Sequence, residues 1–211
     1  MIWRALLLCS LLAGCGTVAD KKNPILAGLN TLQGSQPALA PRFASLVEQD
    51  VPRLQVSIIE TGANATLLLE RQNGNFAYWL TVDGSHLVLE SGLLHGTRGF
   101  GEGLLASELG EPLALVRSRR DGWSDRFHTY LDGNDRAVTR TYRCLIENKG
   151  QKETKLLGGT VKTELMSESC RSLDQKFLNF YWVVPATGQI VLSRQWAGPE
   201  IGQISIRVVP R

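Results

Sequence analysis

The residues of this chain that could do chemistry are three histidines, a few closely spaced aspartates, four cysteines and a scatter of tryptophans. A metal centre or a general base would draw on His86, His95 or His128. None has a second His or a Cys at ligand spacing, and no His-Glu-x-x-His occurs. All three fall in or beside strand-like runs, where a hydrogen-bonded structural histidine is the simpler reading. Glycoside hydrolysis needs two carboxyl groups about 5 to 10 Å apart. Asp121 with Asp125, and Asp132 with Asp135, are close enough in sequence to qualify. Both pairs sit in turn-like sequence, where Asp is favoured because its side chain bonds nearby backbone N–H groups. There is no Gly-x-Ser-x-Gly elbow and no Gly-x-x-x-x-Gly-Lys loop. The Gly99-Phe100-Gly101-Glu102-Gly103 run lacks the spacing and the βαβ surroundings of a nucleotide loop. We therefore expect no catalytic residue, no metal ligand and no cofactor.

The aromatics offer a binding chemistry instead. Trp79, Trp123, Trp182 and Trp196, with Tyr78, Tyr130 and Tyr181, lie in the body of the chain. An exposed indole presents an apolar face to the C–H side of a sugar ring, while arginines such as Arg98, Arg140 and Arg194 can bond hydroxyl or anionic groups. Trp79, Arg98, Arg194 and Trp196 are the candidate contacts for a glycan or a protein partner. Core packing of strand aromatics is the alternative, and it stays open at each tryptophan.

These residues are carried by strands. Leu54, Val56 and Ile58 alternate with polar neighbours. Phe76 to Val82 and Leu87-Val88-Leu89 flank Asp83-Gly84, a strong hairpin signal. Further runs follow at residues 123–131, 136–147, 160–169, 177–184, 189–196 and 203–209. Turn sequences divide them at Asp132 to Asp135, at Asn148-Lys149-Gly150 and at Ala186-Thr187-Gly188. The pattern predicts a mainly β chain, an antiparallel sandwich or barrel-like single domain. Short helices are expected at residues 24–34, for a turn or two after Pro41, and at residues 101–110 around Leu104, Leu105 and Leu109.

The beginning of the chain reads as an export signal. Arg4 is followed by an apolar run over residues 5–12 and by small residues before Cys15. The run is about half the roughly 20 residues needed to span a bilayer. Leu12-Ala13-Gly14-Cys15 resembles the lipobox of bacterial lipoproteins, which implies cleavage before Cys15 and lipid on its sulfur. The expected organisation is a signal peptide at 1–14, a lipidated tether at 15–23 and one β-rich periplasmic domain at 24–211. By resemblance to lipoprotein sorting in enteric bacteria, Gly16 in place of Asp implies the outer membrane rather than retention in the inner one. With 23 basic against 20 acidic residues, the charge balance argues against a nucleic-acid partner.

Of the other cysteines, Cys9 leaves with the leader. Cys144 and Cys170 stand 26 residues apart in strand-like segments and in an oxidising compartment, which favours a disulfide. Chain entropy assigns such a loop about 3.5 kcal/mol. A buried free pair or a redox site are the alternatives.

Several spaced blocks together resemble the GfcB/YjbF family of lipoproteins from group 4 capsule and exopolysaccharide systems. They are Trp79 to Gly84 with Leu87, Gly92 to Gly101, Tyr142-Arg143-Cys144 with Glu168-Ser169-Cys170, and Phe180 to Val183. Gly188, Ser193 to Trp196 and Gly198-Pro199 continue the likeness. The resemblance implies a mostly β, non-enzymatic lipoprotein on the periplasmic face of the outer membrane. It further implies assistance in polysaccharide secretion beside an outer-membrane β-barrel or other components of that system. A module that binds the exported glycan directly is the second reading, and a polysaccharide-modifying enzyme the third.

Overall fold

Period-two alternation drives this chain into strands, because each then buries one face against its neighbours. The computed structural model describes residues 40–100, 103–134 and 136–210. The leader, Cys15, the tether and the helix expected at residues 24–34 lie outside the described residues. A short helix α1 (Pro41–Glu48) precedes β1 (Arg53–Ile58), β2 (Asn64–Asn73), β3 (Phe76–Leu80), β4 (His86–Glu90), β5 (Leu93–Arg98) and β6 (Leu104–Glu108). Helix α2 (Gly110–Ser118) then leads to β7 (Gly122–Leu131), β8 (Ala137–Leu156), β9 (Gly159–Arg171), β10 (Lys176–Val183), β11 (Ile190–Trp196) and β12 (Gln203–Val209).

All twelve strands belong to one antiparallel sheet, ordered β5-β4-β3-β2-β1-β12-β11-β10-β9-β8-β7-β6. The sheet curls until its two edge strands lie side by side, so the barrel-like form, not the sandwich, is the one adopted. At the seam the His95 ring donates from Nδ1 to the carbonyl oxygen of Ser107 at 2.9 Å. Gly96 lets the edges approach: a Cβ there would stand 2.9 Å from the Leu105 carbonyl oxygen. An edge covered in this way is no longer a template for another chain's strand.

The two ends of the barrel differ. At one, Ala197 and Ile201 of the β11–β12 connection, with Phe100, pack into the core of Leu54, Val56, Leu67 and Leu87 and plug it. At the other, Leu109, just before α2, and Val116 within it pack against Ile146, Met166, Tyr181 and Val183. Outside the wall, α1 starts on Pro41, a residue suited to a first helical position, and buries Phe43 on Leu68 and Leu80.

Two local expectations are corrected. The leucines of residues 101–110 do not make a helix: Leu104–Glu108 is β6, paired with β7, and the helix begins at Gly110. Three closely spaced leucines satisfy either period, and the seam strand is chosen because it closes the barrel. Nor is Asn148-Lys149-Gly150 a turn. The β8–β9 register shifts between Asn148 and Gln151 while the strand runs on. Gly150, at φ +82°, accommodates this bulge, and the chain reverses only at Leu157-Gly158.

Candidate functional site

Alternation along β7 turns Ser124, Arg126, His128 and Tyr130 into the barrel. There Arg126 Nη1 donates to Glu168 Oε2 at 2.8 Å. Tyr181 Oη, at 2.7 Å, and Asn179 Nδ2, at 2.8 Å, donate to the same oxygen. Burial by itself would lower the Arg126 pKa, but Glu168 and Tyr181 carry it above its ordinary value, so the guanidinium stays charged. Burial and then the Glu168 charge push the Tyr181 phenol up. His128 shares a hydrogen bond with the Tyr130 hydroxyl at 2.9 Å and stacks on Phe177. Burial, reinforced by Arg126, holds its pKa well below the usual imidazole value. This arrangement fixes the strands to one another; it does not open a carboxylate or an imidazole to solvent.

The four candidate contact residues do not converge. Trp79 is only 9% exposed and faces inward. Trp196 is half-buried and parallel to Phe177, with ring centroids 5.8 Å apart. Arg98 is exposed at the end of β5, beside an outer hollow it shares with Arg42, Arg71, His86 and Glu70. Arg194 is exposed on the outer face of β11.

The other candidates are engaged locally. His86 bonds Glu70 at 3.0 Å. Asp121 accepts from Asn148 N at 2.6 Å, and Asp125 pairs with Arg143 at 2.8 Å. Asp132 accepts from the backbone of Asn134 and Arg136 within its own turn, while Asp135 is outside the described residues. Arg140 pairs with Asp174 at 2.7 Å, and that contact lowers the Asp174 pKa. Arg71 lies over the Tyr78 ring, 4.2 Å from its centroid. Cys144 and Cys170 sit opposite each other across β8 and β9 and are bonded.

Two features of the outer wall stand out. Register pairs Phe180 with Arg194 and Leu192 with Arg207, so Phe180, Trp182, Arg194 and Arg207 line one shallow hollow. That hollow combines flat apolar rings with two guanidinium groups and, among the described residues, has no carboxylate in its lining. Along β7, outward Trp123 (59% exposed), Phe127 (41%) and Leu131 (40%) recur every fourth residue, with Leu105 (36%) on neighbouring β6. Asp125 and Thr129 stand between them on the same face, so the three are spaced apolar anchors of the sort that an interaction surface uses. At the open end, a cavity has Gln72, Asn75 and Arg117 at its lip and Trp79 at its floor.

Sequence reasoning missed the Arg126–Glu168 pair and the place of Arg117 at the cavity lip. The signal for the pair was faint: a charged residue at an inward position of each alternating strand. Arg117 gave none, because its placement depends on where α2 docks.

A family model described as group 4 capsule polysaccharide lipoprotein (gfcB, YjbF) matches residues 32–209. The crystal structure of the hypothetical lipoprotein YmcC from Escherichia coli K12 shares the fold. Its TM-score is 0.67 at 16% identity, over 91% of this chain and 98% of that one. A putative exported protein with a YmcC-like fold from Bacteroides fragilis is more distant, at a TM-score of 0.29 and 9% identity over 74% of this chain and 92% of that one. No curated protein matches in sequence.

Proposed function

The chain belongs to the group 4 capsule polysaccharide lipoprotein family, and from that premise we propose that it is a non-catalytic, lipid-anchored accessory of polysaccharide export. Cys15 carries the anchor, and the barrel stands on the periplasmic face of the outer membrane. There it docks on an outer-membrane component of the same secretion system. The observation that supports docking is the stripe of Trp123, Phe127 and Leu131 on β7, apolar side chains left in water by a wall that buries its other face. Buried aromatic anchors of this kind dominate interface energy. Trp123→Ala with Phe127→Ala should abolish co-purification of the partner from membranes and lower surface polysaccharide, with protein level and melting temperature unchanged. Normal secretion by that double variant, or by a deletion strain, overturns the reading. Cys15→Ser should release the protein from the envelope fraction and leave the leader uncut before that position.

A second reading, direct contact with the exported polymer, is favoured by the hollow of Phe180, Trp182, Arg194 and Arg207. Stacking on the rings and guanidinium bonds to anionic groups is the chemistry of acidic-sugar recognition. The organism's own polysaccharide should quench tryptophan fluorescence saturably, and Trp182→Ala with Arg194→Ala should remove the effect. A flat titration of the unaltered protein excludes this reading and leaves the first untouched.

A further inference from the structure

Between the β2–β3 and β4–β5 turns on one side, and α2 with the β10–β11 turn on the other, the barrel's open end holds a cavity of about 320 Å³. That is the lower end of the range for ligand pockets, about 300–1,000 Å³. Its polarity changes with depth. The lip is made of polar residues from strand ends, turns and the end of α2: Gln72, Asn75, Ser91, Gln189 and Arg117, whose Nε lies beside Gly188. A few residues further along the strands the lining becomes mainly apolar, with Leu54, Trp79, Leu89, Ile190, Ile206 and Val208, and with Ser193 as its buried polar member. No carboxylate among the described residues contributes to the lining. Among the described residues, Arg117 forms no ion pair.

This gradient selects between ligand classes. A sugar ring carries hydroxyls around its whole rim, and those pushed inward would outnumber the partners that Ser193 and the Trp79 indole N–H could offer among leucine, isoleucine and valine; each left unpaired is costly. A hydrocarbon chain gains there by leaving water. A carboxylate or phosphate at its head would sit at the lip, where a guanidinium donates charge-assisted hydrogen bonds. The plug of Ala197 and Ile201 at the opposite end makes the space a cup, so a chain end enters and nothing threads through.

We propose that the barrel mouth binds the end of an acyl chain of an anionic amphiphile, the tail against Trp79 and its apolar neighbours and the head at Arg117. The site is separate from both surfaces named under the proposed function, and neither reading there depends on it.

The test uses the full chain carrying Cys15→Ser, so that no attached lipid competes. Calorimetric titration with hexanoate, octanoate, decanoate and dodecanoate should show affinity rising about fourfold per added methylene and levelling once the cup is full. Arg117→Ala should weaken dodecanoate about tenfold or more, while leaving the affinity for decyl maltoside, a neutral amphiphile, unchanged. Ala77 lines the cavity opposite Gln72, so Ala77→Phe, which blocks the mouth, should abolish chain binding; where that variant does not fold, dodecanoate-induced amide shifts at Ser91 and Gly92 of the Cys15→Ser chain serve instead. Flotation with phosphatidylglycerol vesicles but not phosphatidylcholine vesicles assigns the amphiphile to the bilayer, and titration with fatty acid alone assigns it to a free acid. No dependence on chain length, binding indifferent to Arg117→Ala, or shifts at Ser91 and Gly92 caused by a hyaluronan tetrasaccharide and not by dodecanoate would each overturn the proposal.

Discussion

Arg126 on β7 and Glu168 on β9 form an ion pair of 2.8 Å inside the barrel, their side chains 2% and 0% exposed. Two further donors, Tyr181 and Asn179, converge on the same carboxylate oxygen. A buried pair is weak support for stability as such, because each charge loses its hydration, yet removing one partner strands the other. Glu168→Ala should therefore cost about 3–5 kcal/mol in urea unfolding. Arg126→Met combined with Glu168→Leu should recover most of that loss. A single variant as stable as the parent would show that water reaches the site.

His128 predicts a pH dependence. Burial and Arg126 depress its folded pKa far below the 6.5 it has when unfolded. The unfolded chain thus binds a proton that the folded chain refuses. Its contribution is complete above pH 6.5 and declines as pH falls towards the folded pKa, by at most about 1.4 kcal/mol per pH unit. Unfolding midpoints at pH 7.5 and 5.5 should differ, and His128→Gln should shrink the difference.

Gln195 on β11 reaches across the interior to the seam strand. Its Oε1 accepts from Leu94 N at 2.8 Å, and its Nε2 donates to the Gly92 carbonyl oxygen at 2.9 Å. Gln195→Ala leaves a buried N–H unpaired, at a cost of about 1–3 kcal/mol. The loss should be local first: hydrogen exchange at Leu94 and its β5 neighbours should accelerate before β8 or β9 is affected.

The bond between Cys144 and Cys170 ties two strands that are already paired residue for residue. Reduction, or Cys144→Ala with Cys170→Ala, should lower stability by about 2–5 kcal/mol. The fold should persist under native conditions, because the β8–β9 ladder continues on both sides of the bond. Circular dichroism with and without dithiothreitol distinguishes this from a collapse of the sheet.

How much of this could be read along the chain differs from residue to residue. The hairpin of β3 and β4 was legible because its cause is local. Asp83 accepts from Ser85 N, Gly84 takes φ +88°, and aromatic and aliphatic residues alternate on either side. Gly150 was misread for an equally local reason: a glycine at positive φ serves a turn and a bulge alike. Trp79 and Trp182 look equivalent in sequence, each beside aromatics in a strand, yet one lines the interior and the other the outer wall.

Taken by itself, the sequence determined most of the turns and most of the strands, though not the seam strands β5 and β6, and it favoured a bond between Cys144 and Cys170, since periodicity, turn chemistry and cysteine count need no long-range information. Only the tertiary structure decided that β5 meets β6 to make a barrel, which face of each strand points inward, and that Arg126 finds Glu168 42 positions away. Those outcomes depend on how far the sheet twists before its edges touch. That twist is the sum of small contributions from every strand, and no single segment carries it.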